Sequence, residues 1–187
     1  MAGGAVSDRL SADEKARMLA HAADASGDLA EYDAGPLWLV SARRQFASDE
    51  HGCLAYEGFI AFAGSGRKGP ADLLRRARNG GDEPLRPEGH YALAFANSRT
   101  QRLLLLRGLS GGERLYYTVI DGMVLFASSI RPLLAHGRIK ARLNRDDIRE
   151  ILLSGLILTG NGTLFGGVEE VAPGHRLLLG DTIGGQQ

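Results

Sequence analysis

Short apolar segments separated by turns fill the second half of the chain, and this pattern constrains the fold most. Residues 115–120 and Met123–Ala127 flank Asp121-Gly122, a pair that favours a two-residue type I′ hairpin. The run at residues 103–106 consists of leucine alone, and its lack of alternation predicts a strand that is buried on both faces. The sequence therefore predicts a sheet that is covered on both sides.

Helices and further strands surround this region. Ser11 and Glu14 have capping-box spacing and predict a helix over residues 12–23, whereas the small and polar residues 24–35 predict a loop. Gly58, inside a predicted strand, indicates a bulge or a close backbone approach. The other predicted elements are strands at 37–40, 54–63, 90–96 and 176–179 and helices at 71–78, 130–135 and 145–153, the last with Asn144 as its cap and Gly155 as its stop.

Composition excludes several classes of protein. The 187 residues include 22 basic and 22 acidic side chains, so zero net charge gives no attraction for nucleic acid or an anionic membrane. The single cysteine, Cys53, excludes a disulfide framework and reads as a small buried hydrophobe. The histidines show no metal-ligand spacing, so we expect neither a metal nor another cofactor. With no signal segment and no apolar run of about 18 residues, we expect a cytoplasmic location.

One local motif is tempting. Ser110-Gly111-Gly112-Glu113 contains a string found in the phosphate loops of ATP-using enzymes, but Arg114 and Leu115 replace the polar groups that such a loop needs. Because predicted strands flank it, we interpret it as a glycine turn.

Five motifs in the second half of the chain resemble, in the same order, the motifs of a known family. The five motifs are GHYALA from Gly89, the segment from Arg107 to Tyr117, FASSI from Phe126, TLFGG from Thr163 and PGH from Pro173. They resemble motifs of the glutamine-hydrolysing N-terminal domain of asparagine synthetases, which is a class II glutamine amidotransferase. The resemblance implies an α+β fold of the N-terminal-nucleophile hydrolase type, a four-layer αββα sandwich of two mostly antiparallel sheets. We expect one such domain over residues 1–182 and a frayed tail at 183–187. The apolar core candidates are Val40, Leu93, Phe95, Leu104, Leu106, Tyr116, Val119, Leu125 and Phe126.

The resemblance also locates the family's chemistry, which this sequence lacks. The family's nucleophile is a cysteine directly after the initiator methionine, and here Ala2 carries only a methyl group, which cannot attack a carboxamide. Arg44 falls where the family holds the glutamine carboxylate. Glu57 and Gly58 fall where the family's Asn-Gly forms the oxyanion hole, and a carboxylate there would repel an oxyanion. We therefore predict no catalytic residue, and a remnant substrate pocket at Arg44, Glu57 and Gly58.

These features lead to three functional hypotheses. The first is an inactive amidotransferase-like domain that binds a separately encoded asparagine-synthetase-like ligase, which forms an amide, lactam or macrolactam with ATP in a biosynthetic pathway, or that forms a homodimer. The second is a glutamine hydrolase with a relocated nucleophile, either Cys53 or Ser7. The third is a small amino-acid sensor that uses the remnant pocket near Arg44 and Glu57.

Overall fold

Two antiparallel sheets form the centre of the protein. The computed structural model describes residues 2–5 (backbone only), 10–22, 28–63, 66–79, 87–110, 112–155, 157 and 160–180. Sheet A contains β1 (Ala2–Ala5), β2 (Leu29–Ala34), β3 (Leu37–Ala42), β8 (Tyr116–Ile120), β9 (Met123–Ala127) and β10 (Glu169–Glu170), in the spatial order β10-β8-β9-β1-β3-β2. Sheet B contains β4 (Phe46–Asp49), β5 (Gly52–Ala61), β6 (Glu88–Asn97), β7 (Arg102–Arg107) and β11 (Arg176–Leu179), in the order β11-β7-β6-β5-β4.

Four helices lie within the described residues, and the first three of them cover the outer faces of the two sheets. They are α1 (Ala12–Ala20), α2 (Pro70–Asn79), α3 (Ile130–Ala135) and α4 (Arg145–Ser154). Met18 of α1 and Leu133 of α3 pack on sheet A, and Leu73 and Leu74 of α2 pack on sheet B. A third apolar cluster fills the space between the sheets. The predicted αββα order of layers is therefore confirmed.

Strand β3 shows why the central strands lack polar alternation. Leu37 and Leu39 belong to the cluster between the sheets, whereas Trp38 and Val40 belong to the cluster beneath the helices. Because successive side chains point to opposite faces, a strand that is covered on both faces must be apolar at every position. Residues 103–106 follow the same rule, although Leu104 is only half-buried.

The predicted helix ends and turns depend on identifiable contacts. The Ser11 backbone amide donates to Glu14 Oε2 at 2.9 Å, which together with the bond from Glu14 N to Ser11 Oγ completes the capping box of α1. Gly155 ends α4 in the left-handed conformation. Asp121 and Gly122 have φ values of 50° and 75°, as a type I′ hairpin turn requires.

Several sequence predictions were wrong in detail. Helix α1 ends at Ala20 rather than at residue 23. Part of the segment expected to be a loop, Leu29–Ala34, is strand β2, because it pairs along the whole of β3. Val119 was expected in the core but is 63% exposed, although Tyr117 on the same face of β8 packs against the cluster between the sheets. Phe95 is only half-buried.

The helices of the described residues are short. None of the helices in these ranges is long and apolar enough to cross a membrane, and the longest have ten residues. The predicted tail at residues 183–187 lies outside the described part of the chain.

Candidate functional site

The first strand places Ala2 at one end of the sandwich. Strand β1 lies in the middle of sheet A, where Ala2 pairs with Val40 of β3 and with Ala127 of β9. Ser128 follows Ala127 directly, so it lies at the end of the sheet where β1 starts. The backbone register therefore fixes which residues of the neighbouring strands can surround the position that the resemblance assigns to the nucleophile.

The predicted carboxylate-binding residue lies at the same end. Arg44 belongs to a short 3₁₀ turn, Arg43–Gln45, which connects the end of β3 in sheet A to β4 in sheet B. Its side chain is exposed. Because β4 starts with Phe46 opposite Ala55 of β5, this turn crosses between the sheets next to the part of β5 that follows Ala55.

Glu57 connects the two sheets across this end. It has the same parity along β5 as Cys53 and Ala55, which face the space between the sheets. The Ser128 hydroxyl donates a hydrogen bond to Glu57 Oε1 at 2.6 Å. This bond brings a carboxylate of sheet B to the residue that follows Ala127, the pairing partner of Ala2.

Gly58 is surrounded so closely that only glycine fits. Its φ is +90°, and a Cβ at this position would lie 2.1 Å from the His90 carbonyl oxygen and 2.8 Å from Glu113 Cδ and Oε1. The expected close backbone approach at Gly58 is therefore confirmed. The carboxyl group of Glu113 lies against the Gly58 backbone, and its Oε2 atom is buried without a hydrogen-bond partner among the described residues.

Arg107 holds the loop that carries Glu113. Its guanidinium is buried and donates to the Glu113 carbonyl oxygen at 3.0 Å, to Glu170 Oε1 at 2.6 Å and to the Val171 carbonyl oxygen at 2.9 Å. These bonds connect β7, the loop after it and β10. Arg107 is thus a structural anchor behind the site rather than a group inside it.

Of the two alternative nucleophiles, Cys53 lies among the described residues. Cys53 is fully buried in β5, and burial raises the pKa of its thiol to about 12. A thiol in this state is neither ionised at neutral pH nor accessible to a substrate, which confirms its interpretation as a small buried hydrophobe. Ser7 lies outside the described residues.

The arrangement brings polar and charged residues together at one end of the sandwich. Glu57, Gly58 and Ser128 come together, Glu113 joins them, and Arg44 lies in the crossing turn beside them. Within the described ranges no three His, Cys, Asp or Glu side chains are placed to hold a metal ion. The predicted absence of a metal and of a cofactor stays a prediction.

Sequence reasoning missed two members of this group. Ser128 lies inside the FASSI motif, and its place in that motif is the only feature of the sequence that could have indicated its role. Glu113 was interpreted as part of a glycine turn, and no local pattern indicates that its carboxylate reaches Gly58, 55 positions earlier in the chain, because tertiary packing alone creates that contact.

Comparison with known proteins identifies the family of this chain. Residues 73–183, more than half of the 187-residue chain, match the family described as glutamine amidotransferase domain. The chain is 34% identical over 89 residues to asparagine synthetase [glutamine-hydrolyzing] 3 of Bacillus subtilis, which is 48% of this chain and 14% of that protein. It is 33% identical over 93 residues to the amidase chyE of Penicillium rubens, which is 48% of this chain and 13% of that protein. The matched part thus spans about a seventh of these curated relatives, and the chain belongs to the glutamine amidotransferase domain family.

Proposed function

We propose that this amidotransferase-like domain has lost glutamine hydrolysis and acts as a binding partner of an asparagine-synthetase-like amide ligase. The ligase would be a separate chain that uses ATP to form an amide, a lactam or a macrolactam in a biosynthetic pathway. A homodimer of this chain is the other association that we consider.

The composition of β1 carries the first part of the proposal. This strand reads Ala-Gly-Gly-Ala, so none of its four residues has a hydroxyl or thiol group. Covalent catalysis of amide hydrolysis by the family's route needs such a nucleophile at this position.

The chemistry of Glu57 supports the same conclusion. An oxyanion hole requires hydrogen-bond donors that are aimed at the developing negative charge. An ionised Glu57 has only acceptor atoms, and one of these already accepts the Ser128 hydroxyl. A tetrahedral intermediate next to this carboxylate would be repelled.

The length of the relatives supports the proposal of a ligase partner. The segment that matches the Bacillus protein covers 14% of it, so in that protein the amidotransferase-like segment is joined to a much longer chain. A domain that is fused to a longer polypeptide in a relative is a candidate for binding the equivalent polypeptide when it is a separate chain. The burial of three apolar clusters stabilises the fold, and this stabilisation does not depend on catalytic activity.

A glutaminase assay tests the loss of activity. We expect no release of glutamate from glutamine by the wild-type protein or by Cys53→Ala, with an intact-mass measurement to establish the mature terminus. Glutamate release by the wild type would contradict the proposal. Release that disappears in Cys53→Ala would instead support the relocated nucleophile.

Co-purification tests the partner. The chain is expressed together with an asparagine-synthetase-like ligase encoded beside it, and we expect a complex and a ligase activity that falls when the chain is withheld. An unchanged ligase activity without any complex would contradict the partner. Sedimentation of the chain alone distinguishes the homodimer.

A small amino-acid sensor is a second candidate, favoured by the meeting of Glu57, Glu113 and Ser128 beside the turn that carries Arg44. A cation and carboxylates at one end of a sandwich could hold the two charged groups of an amino acid. Calorimetry with glutamine, glutamate and aspartate tests it, and Arg44→Ala should abolish any heat of binding. Flat traces at millimolar ligand would exclude this function.

A further inference from the structure

Two polar atoms are buried without a hydrogen-bond partner at the end of the sandwich that holds Glu57 and Ser128. One is Oε2 of Glu113 and the other is Oγ of Ser41, and neither has a partner among the described residues. The whole of Ser41 is only 3% exposed. Because folded proteins rarely bury a polar atom without a partner, each of these atoms requires an explanation.

The register of sheet A places Ser41 at this end. Ala2 of β1 pairs with Val40 on one side and with Ala127 on the other. Ser41 and Ser128 follow these two partners directly along the chain. They therefore flank the start of β1 at the same level, about 10 Å apart across two strand spacings.

Both serines point into the space between the sheets. Leu39 belongs to the cluster that fills this space, and alternation along β3 puts Ser41 on the same side. Phe126 belongs to the same cluster, and alternation along β9 puts Ser128 there as well, in agreement with its bond to Glu57 of sheet B. The buried Ser41 hydroxyl is thus aimed into the part of the inter-sheet space that the Glu57 carboxylate enters.

Glu113 reaches this end from the loop that connects β7 of sheet B to β8 of sheet A. Arg107 fixes the loop by donating to the Glu113 carbonyl oxygen at 3.0 Å, and the Glu113 carboxyl group lies against Gly58, the neighbour of Glu57. No ion pair formed within the described residues involves the Glu113 side chain. We call Ser41, Glu57, Glu113 and Ser128 together the polar end.

The atoms without a partner indicate the chemistry of a ligand. A carboxylate oxygen only accepts hydrogen bonds and a serine hydroxyl can accept them, so one group with several donors satisfies both. Two carboxylates at one place favour a positive charge on that group, because charged donors make the stronger bonds to carboxylates. A guanidinium or ammonium group has donors alone, whereas the carboxamide of glutamine would bring an acceptor oxygen among the carboxylates.

Two other kinds of ligand fit less well. An anion would be repelled by Glu57 and Glu113. A hard metal ion takes several oxygen ligands, and within the described ranges no three His, Cys, Asp or Glu side chains are placed to share one. An organic cation is therefore the ligand that the polar end favours.

We infer that the polar end binds a small organic cation, a guanidinium or primary ammonium compound, whose charged group lies between the Glu57 and Glu113 carboxylates and also contacts Ser41. The inference rests on the second candidate function in that it names the ligand class of the same site, and it does not depend on the ligase partner.

Isothermal titration calorimetry of the full chain with L-arginine tests the inference. The matched control ligand is L-citrulline, which keeps the length of arginine and carries a neutral urea group in place of the guanidinium. We expect arginine to bind at least about tenfold more tightly than citrulline, because only the cation makes charge-assisted bonds to the carboxylates.

Variants of the polar end locate the binding. Glu113→Gln keeps the shape but removes the charge, so it should abolish most of the preference for arginine, and Ser41→Ala should weaken arginine binding by about threefold. Glu50→Gln is the control, since this exposed carboxylate lies in the turn before β5, far along the strand from Glu57, and it should leave arginine binding unchanged. Thermal unfolding of each variant establishes that it folds.

The outcomes separate this inference from the proposed function. Charge-dependent binding of arginine with flat traces for glutamine, glutamate and aspartate supports the inference and excludes those three amino acids as ligands. Binding of glutamine without any preference for arginine over citrulline supports the sensor and overturns the inference. No heat with millimolar arginine, heat with calcium ions in place of arginine, or equal arginine affinity in the wild type and Glu113→Gln overturns the inference, and co-purification decides the ligase partner in each case.

Discussion

Arg107 and His136 are both buried basic side chains, but they differ in how their nitrogen atoms are paired. Arg107 donates three hydrogen bonds to partners on β10 and the adjoining loops. His136, at the end of α3, is fully buried and lies 3.4 Å from Glu14 Oε1, yet neither ring nitrogen has a hydrogen-bond partner among the described residues. A paired cation stabilises its surroundings at any ordinary pH, whereas an unpaired imidazole makes its surroundings sensitive to protons.

The charges around His136 explain the direction of that sensitivity. Burial lowers the pKa of His136, and Arg138 and Arg17 lower it further against the opposing effect of Glu14. Burial acts to raise the pKa of Glu14, but the Ser11 hydrogen bonds and the charges of His136 and Arg138 outweigh it and lower that pKa. The contact between α1 and α3 is therefore built for a neutral imidazole and an ionised carboxylate.

Replacing Arg107 with leucine should have the largest effect on stability. The change leaves the Glu170 carboxylate and two backbone carbonyl oxygens without their donor, and we expect the free energy of unfolding to fall by about 3–5 kcal/mol. Urea denaturation measures it. The control is Arg176→Leu on β11, an exposed arginine whose loss should matter little. Equal losses in both variants would contradict the role of Arg107 as an anchor.

Glu170→Gln should have an intermediate effect. Glutamine keeps the shape and one acceptor but removes the charge that faces Arg107 Nη1 at 2.6 Å, so we expect a loss of about 1–2 kcal/mol. Glu169→Gln, one position earlier on the exposed side, is the matched control and should cost about 0.5 kcal/mol or less. If the free energy of unfolding of Glu170→Gln equals that of the wild type, the charge of Glu170 does not contribute to stability.

His136→Leu should change the pH dependence of stability more than stability itself. At pH 7.5 the variant should lie within about 1 kcal/mol of the wild type, because two unpaired polar atoms are removed. The unfolded chain binds a proton at His136 more readily than the folded one, so wild-type stability should fall as the pH decreases below about 6.5. The variant should lack this part of the loss and keep the loss below about pH 4.5 that comes from carboxylates such as Glu14. Denaturation between pH 4 and 8 measures both, and parallel curves would contradict the prediction.

Arg138→Gln should have the smallest effect. Its side chain is 42% exposed, and its Nε lies 3.2 Å from Glu14 Oε1, so we expect a cost of about 0.5 kcal/mol. Because Arg138 lowers the pKa of His136, the variant should raise that pKa and make the acid loss of stability shallower. NMR titration of the His136 ring measures the direction, and a fall in its pKa would contradict this account.

The sequence predicts elements well where local pattern and burial agree. The hairpin around Asp121 and helix α4 follow from turn, cap and stop signals that act over a few residues. Strand β1 was not predicted, because Ala-Gly-Gly-Ala has little preference for a strand and forms one through pairing with β3 and β9. Strand β2 was missed for a similar reason, since its polar residues gain their conformation from the edge of β3.

The candidate site was less predictable than the fold. Arg44, Glu57 and Gly58 came from a resemblance, and the registers of β3, β4 and β5 place them at one end of the sandwich. Whether they form a substrate pocket stays a prediction. The bond from Ser128 to Glu57 and the approach of Glu113 to Gly58 join residues far apart in sequence, and such contacts have no local signature.

The central position of β1 has a consequence for any attempt to shorten or tag the chain at this strand. Its backbone supplies the hydrogen bonds that join β9 on one side to β3 on the other. Deleting residues 2–5 would divide sheet A into a three-stranded and a two-stranded piece, each with a bare edge that is free to recruit another molecule. The pairing of β1 with both neighbours is thus by itself a reason for this segment to stay in place, whatever side chains it carries.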